Sequence, residues 1–92
     1  MDKKDILLLG WLKRSKNRLK VFLAIEGYIL PSEIVRKVYG KWSASRYVIV
    51  SRALAELKEK GLVKIENPKE RVGRVYSLAA EGTGLRVLLN KS

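Results

Sequence analysis

The feature that most constrains this chain lies at Gly61, where the hydrophobic period changes within a single residue. Before it, Tyr47, Val50, Leu54 and Leu57 recur at spacings of 3, 4 and 3, the apolar stripe of an amphipathic helix. That helix starts at Ser43 or Ser45, either of which can cap it, and runs to Lys60. Lys58 and Lys60 fall in its last turn, where the helix dipole favours cations. Beyond Gly61, Leu62-Val63-Lys64-Ile65-Glu66 reads as a strand and Asn67 to Gly73 as a turn-rich loop. Arg74-Val75-Tyr76-Ser77-Leu78 then reads as a second strand, so the pair makes a β-hairpin.

Upstream, Pro31-Ser32-Glu33 opens a helix with Ile34, Val35 and Val38 inward and Gly40 at its end. An earlier stripe of Leu19, Phe22, Leu23 and Ile25 or Ala24 stops at Gly27, with Ser15 as its N-cap. Asp2 caps a segment that carries Ile6, Leu7, Leu8, Leu9, Trp11 and Leu12. Spacing alone leaves Ile6 to Ala24 as one helix, or as two broken near Gly10 or Ser15. Glu81 to Lys91, with Leu85, Val87, Leu88 and Leu89, is helical, although Gly82 and Gly84 weaken its first turn. The expected fold is α+β and mainly helical: a three-helix core, a two-stranded hairpin, and extra N- and C-terminal helices. With 92 residues, one domain spans 1–92, and 1–14 and 81–92 serve as packing or dimerisation segments.

The net charge of +11 suits a polyanion, because binding releases the counterions condensed on it. A membrane surface or an acidic protein would attract the same charge, so placement has to decide. Apolar residues make up 47% of the chain, which favours a folded domain over a disordered basic tail. With no Cys and no His there is no thiolate nucleophile, no disulfide and no ordinary zinc site, and neither metal nor cofactor is expected. The few acidic residues are scattered, and Gly82-Thr83-Gly84 lacks the spacing and Lys of a phosphate loop, so no enzyme is expected. The longest apolar run, Ile6 to Leu9, is far short of the ~20 residues that span a bilayer. Met1 to Leu12 does not read as a signal peptide either, so the expected location is cytoplasmic and nucleoid-associated.

The run from Val50 to Val63 (VSRALAELKEKGLV) resembles the recognition helix and wing start of winged helix-turn-helix regulators of the MarR-like and ArsR-like kind. Their pattern is roughly V-S-R-x-L-x-x-L-x-x-x-G-L-V, and each fixed position is present. Tyr76 to Gly82 is similar to the end of their wing, with Ala79 where Thr is usual. Ser15 to Phe22 resembles their first core helix. The segment from Gly40 to Val50 is longer than in typical members, which either lengthens the recognition helix or enlarges the turn before it. The high Lys and Arg content and compact wing are compatible with an archaeal or viral source.

The resemblance implies double-stranded DNA as partner. A major-groove helix would present Ser43, Ser45, Arg46, Ile49, Ser51 and Arg52, taking Tyr47, Val50 and Leu54 as core. The wing would offer Lys69, Arg71 and Arg74 to the backbone or minor groove, and Lys16, Asn17 and Ser32 are candidates for backbone contacts, Ser32 doubling as a cap. Trp42 reads as a turn anchor. Leu7, Leu8, Trp11, Leu85 and Leu88 are candidates for a homodimer interface, which would present two recognition helices to a two-fold symmetric site. No effector ligand is legible. A sequence-specific regulator leads these readings; an architectural protein with little sequence preference, a protein-interaction module and an RNA-binding role are the rivals.

Overall fold

Short polar side chains decide where the helices begin. Asp2 accepts the Asp5 N–H at 2.9 Å, Ser15 that of Arg18 at 3.2 Å, and Ser43 that of Arg46 at 3.2 Å. In the computed structural model, which describes residues 2–91, these caps open α1 (Lys3–Lys13), α2 (Lys16–Ala24) and α4 (Ala44–Glu59). The apolar stretch from Ile6 is therefore two helices parted at Ser15, and Gly10 lies inside the first. Ser43 is the cap of α4, and Ser45 sits in its first turn with the two hydroxyls 3.0 Å apart. Between them lies α3 (Pro31–Tyr39), whose cap position is Leu30. Glu33 does the capping there, accepting the Leu30 N–H at 3.0 Å, so Ser32 is not the cap expected of it.

Gly61 ends α4 as its sequence position suggests, with φ at 76°. Its N–H reaches the Lys58 carbonyl at 2.9 Å and the Leu62 N–H reaches that of Leu57 at 3.0 Å, a Schellman closure. Leu62 and Leu57 are both fully buried beneath it. The chain then forms β1 (Val63–Ile65) and β2 (Tyr76–Leu78), antiparallel with Val63 opposite Leu78 and Ile65 opposite Tyr76. Ile29 adds a bridge that the sequence does not advertise. Its N–H and carbonyl exchange hydrogen bonds of 3.0 and 2.9 Å with Tyr76, which ties the hairpin to the α2–α3 connection. The last element is α5 (Ala80–Lys91). Among the described residues the architecture is thus five helices and one two-stranded antiparallel sheet, an arrangement consistent with a winged helix.

The core gathers Val21, Phe22 and Ile25 of the α2 region, Ile34 and Val35 of α3, and Val50, Ala53, Leu54 and Leu57 of α4. Leu9 and Leu12 of α1, Leu62 and Val63 of the hairpin and Leu85 of α5 close it. Burying each large side chain contributes roughly 1.5–3 kcal/mol. Three expectations change, the first being Leu23, which the stripe of α2 turned inward and which is exposed while Val21 takes the buried place. Tyr47 is 39% exposed, and the inward place goes to Ala53, whose methyl fits where helices approach closely. Leu85, expected at a dimer contact, is 2% exposed in the chain's own core and cannot serve a second copy. None of the described helices is long and apolar enough to cross a membrane.

Two devices hold α5 in place. A Cβ on Gly82 would stand 2.1 Å from the Leu62 carbonyl oxygen, the same oxygen that accepts the Ala79 N–H at 2.9 Å. The glycine is therefore required by close approach, beyond its effect on helix propensity. From the next turn Arg86 donates to the Ile25 carbonyl, and to that of Leu23 at 3.2 Å. It also pairs with Glu26 at 3.5 Å, which itself holds Lys37 at 3.2 Å. The hydrogen bond from Lys37, with its charge and that of Arg86, keeps the Glu26 carboxyl below its ordinary value of 4.5.

Gly82→Ala should cost about 2–3 kcal/mol by overpacking against backbone, lowering the melting temperature by roughly 10 °C or more. Gly84, with open space around it, should by contrast tolerate alanine and gain up to about 1 kcal/mol from helix propensity. Thermal melts of the two variants check the pair. Because the folded value for Glu26 is depressed, its contacts stabilise fully above about pH 4.5 and fade as pH falls through the lowered value. Glu26→Gln should thus melt slightly below the parent at neutral pH and alongside it in stronger acid, with the gap shrinking in high salt.

Candidate nucleic-acid interface

A helix with one side pinned has its other side determined, because successive residues turn by about 100°. With Val50, Ala53, Leu54 and Leu57 inward, Ala44, Ser45, Val48, Arg52 and Ala55 form the outer face of α4, and all five are exposed. The flanks of α4 each border a cleft. On the wing side, a cleft of ≈ 300 Å³ is lined by Ser32 at the start of α3, by Tyr47 and Ser51, and by Arg71, Arg74 and Tyr76 of the hairpin. On the other side, one of ≈ 200 Å³ is lined by Ser15, Asn17 and Arg18 of the α2 start together with Ile49, Arg52 and Glu56. Residues expected at the site from scattered sequence positions are thereby joined along two edges of one helix.

Some candidates sit differently. The Arg46 guanidinium lies 4.6 Å above the Tyr39 ring, and the Tyr39 hydroxyl donates to Asn17 Oδ1 at 3.0 Å. Arg46 therefore leans back over the end of α3, exposed but off the outer face. Ile49 is half-buried on the α2 side. Lys16 and Lys69 are exposed and line neither cleft. Trp42, in the turn before α4, is 50% exposed and not a buried anchor. Two residues of the face were not among the candidates, Val48 and Ala44, and Tyr47, expected in the core, lines the wing-side cleft instead. The signal for the first two was available, because about 100° per residue from Val50, Leu54 and Leu57 alone already sets Val48 on the far side of the helix with Ala44 beside it.

The hairpin tip is an organised loop. Asn67 Oδ1 accepts the Val75 N–H at 2.7 Å, its amide donates to the Gly73 carbonyl at 3.0 Å, and its backbone carbonyl takes the Glu70 N–H at 3.0 Å. Gly73 supplies the φ of 70° that this closure needs. Arg74 is half-buried and gives its Nε–H to the Glu70 carbonyl at 2.8 Å. Lys69, Arg71 and Val72 stay on the outside, Val72 at 88% exposure.

Charge is partitioned accordingly. Ion pairs join Lys4 to Glu81, Arg18 to Glu56, Lys37 and Arg86 to Glu26, and Lys64 to Glu66. Among the described residues, Lys16, Arg46, Arg52, Lys69 and Arg71 belong to no such pair. Cations outside these pairs thus stand on α4, at the start of α2 and on the hairpin tip, and also elsewhere, Lys3 and Lys13 on α1, Arg36 on α3 and Lys58 near the end of α4 among them. The same residues hold no cluster of three or more acidic side chains suited to a metal.

At the far end, Leu7, Leu8 and Trp11 line a shallow groove of ≈ 590 Å³ with Lys3, Lys4 and Lys60. Leu7 is 61% exposed, while Trp11 is half-buried under the Arg18 guanidinium, 3.9 Å from its centroid. Leu88 is half-buried beside Leu8 along a second groove.

No known family model matches the chain, and no curated protein matches it significantly in sequence. A solved structure does. The reduced form of the transcriptional regulator YodB from B. subtilis aligns over 99% of this chain and 86% of its own length, with a TM-score of 0.68 and 22% identity. At that identity the likeness shows a shared fold, and its bacterial origin lends nothing to an archaeal or viral source.

Asn67→Ala removes both side-chain bonds that close the wing loop, each worth about 1 kcal/mol. Hydrogen exchange should speed up at the Val75 amide and leave the amides of Leu54 and Leu57 unchanged, since the wing can open without the core.

Proposed function

We propose that this chain is a transcriptional regulator that binds double-stranded DNA as a winged helix-turn-helix. Here α4 lies in the major groove and the hairpin runs along the flanking backbone. The observation that carries the reading is that the start of α2, the start of α3 and the wing bring cations and hydroxyls to the two clefts that flank α4. Ser51 and Arg52 are placed for base edges or adjacent phosphates, and Arg can bond guanine bidentately. Ser43 and Ser45 head the helix, and Arg46, leaning toward α3, suits a phosphate better than a base. Arg71 and Lys69 reach a neighbouring backbone or minor groove, Arg74 mainly shapes the loop, and Lys16, Asn17 and Ser32 border the phosphate path. The fold shared with a transcriptional regulator supports the reading.

Exposed Ile6 and Leu7, continuous with Leu8 and Trp11, support a homodimer through α1 that would set two copies of α4 on a symmetric site. The net charge of +11 favours a second reading, a protein that coats DNA with little regard to sequence.

Fluorescence anisotropy separates the two. Duplexes enriched from a random pool should bind at least about 10³-fold more tightly than random duplex. Arg52→Ala should cost roughly 1–3 kcal/mol on the enriched duplex, and Arg71→Ala should weaken all duplexes alike and reduce the salt slope by about one. Equal affinity for all sequences would establish the coating protein, and absence of binding at moderate salt would overturn both.

A further inference from the structure

The outer face of α4 is unusual for so basic a chain. From Ala44 to Ala55 it presents one cation, Arg52, and at its centre stands Val48, 55% exposed. Neither the core nor the side chains packed against it include Val48. A β-branched residue on an unpacked helix surface loses rotamer freedom and gains nothing from its own fold, so lysine or glutamate would be the more stable choice there. Its neighbours on the face are short: Ala44 and Ser45 one turn before it, Ser51 to one side and Ala55 two turns on. Apart from Arg52 one turn on, no long side chain of this face holds a partner away from the backbone, so whatever meets the face at its N-terminal half can approach until Val48 touches it.

If α4 occupies the major groove as proposed above, on which this step rests, the partner's surface is the row of base edges. Those edges offer hydrogen-bond donors and acceptors and one apolar group, the C5-methyl of thymine. We infer that Val48 reads a thymine methyl, with Ala44 packing beside it, so that each half-site carries thymine opposite the middle of α4. Arg52 follows one turn later on the same face, about 6 Å along the helix axis, and takes the adjoining base or its phosphate. The clefts flanking the helix keep the polar residues at the edges, and the centre discriminates by fit to a methyl group.

Replacing thymine by uracil removes that methyl and nothing else, leaving base pairing intact. With the full chain and an enriched duplex, uracil at one thymine of each half-site should weaken binding of the dimer about fifteenfold, about fourfold for each of the two buried methyl groups lost. Val48→Ala should weaken the thymine duplex by a similar factor and bring its thymine-to-uracil ratio to about one. Its melting temperature should not fall and should rise slightly, because the side chain is outside the core and alanine is the better helix former. A ratio near one at every thymine in the parent chain would overturn the inference and leave the regulator reading standing. So would a ratio that survives Val48→Ala. A chain that prefers no duplex over another would take down both readings together.

Discussion

The packing of α4 on α2 is what the remaining geometry depends on. Val50, Ala53, Leu54 and Leu57 are at most 3% exposed against Val21, Phe22 and Ile25, which are fully buried. Rotating α4 by one residue would swing this stripe by about 100° and bring charged or polar neighbours inward, a cost of several kcal/mol that the fold cannot absorb. The outer face is thus set by what is inside. The same packing fixes where the chain leaves the helix, because Leu62 is buried against the end of the stripe at Leu57. The Leu62 carbonyl then receives the Ala79 N–H and bears on Gly82, so the root of the wing and the docking of α5 both derive from how α4 ends.

The N-terminal helix is joined to this framework through Arg18. Its guanidinium donates to the Trp11 carbonyl at 2.6 Å at the end of α1, lies 3.9 Å over the Trp11 ring, and approaches Glu56 of α4 at 3.4 Å. Only 13% of the side chain is exposed, so the charge is compensated by carbonyl, ring and carboxylate instead of by water. Its Nε makes no aligned hydrogen bond, and the attraction to Glu56 is Coulombic. Lys60 approaches the same indole, 5.4 Å from its centroid. Arg18 thus ties α1 to α4 alongside the core packing of Leu9 and Leu12.

What the sequence made legible was local backbone chemistry. Ser15 and Ser43 as caps, Pro31 in a first turn, and Gly40 and Gly61 at helix ends each act on the few residues beside them, and each did so. The extra length between Gly40 and Val50 went into a short turn capped by Ser43 and a long α4, which no neighbouring residue decides alone. Contacts between distant positions left no such mark. Gly82 reads as a weak helix residue until Leu62 is brought against it, and Ile29 reads as part of a loop until Tyr76 pairs with it. Tyr47 illustrates a subtler failure: its spacing fits the stripe, yet it is 39% exposed while Ala53, which the stripe left out, is buried. Arg46 and Val48 were misplaced independently of that choice, since about 100° per residue from either stripe leaves Val48 on the far side and Arg46 near the inward one. Leu85 shows the same ambiguity in another form, since an apolar helix position can serve a core or an interface and only the docking of α5 distinguishes them.

The partition of charge bears on how affinity and selectivity can coexist in so small a domain. A helix face crowded with lysine would hold to phosphate in any register, and the advantage of one sequence over another would shrink. Here Lys16 stands at the start of α2, Arg71 and Lys69 on the wing, and Arg52 alone on the face itself. On the proposed reading, long-range attraction acts at the edges of the contact, where salt screens it, and orients the domain without choosing a sequence. The short-range fit of Val48, Ala44 and Ser51 acts only once the helix is seated, and counterions have no purchase on it. Two contributions that obey different distance laws are therefore carried by different residues, and the rigid packing beneath α4 lets both engage in a single docked geometry.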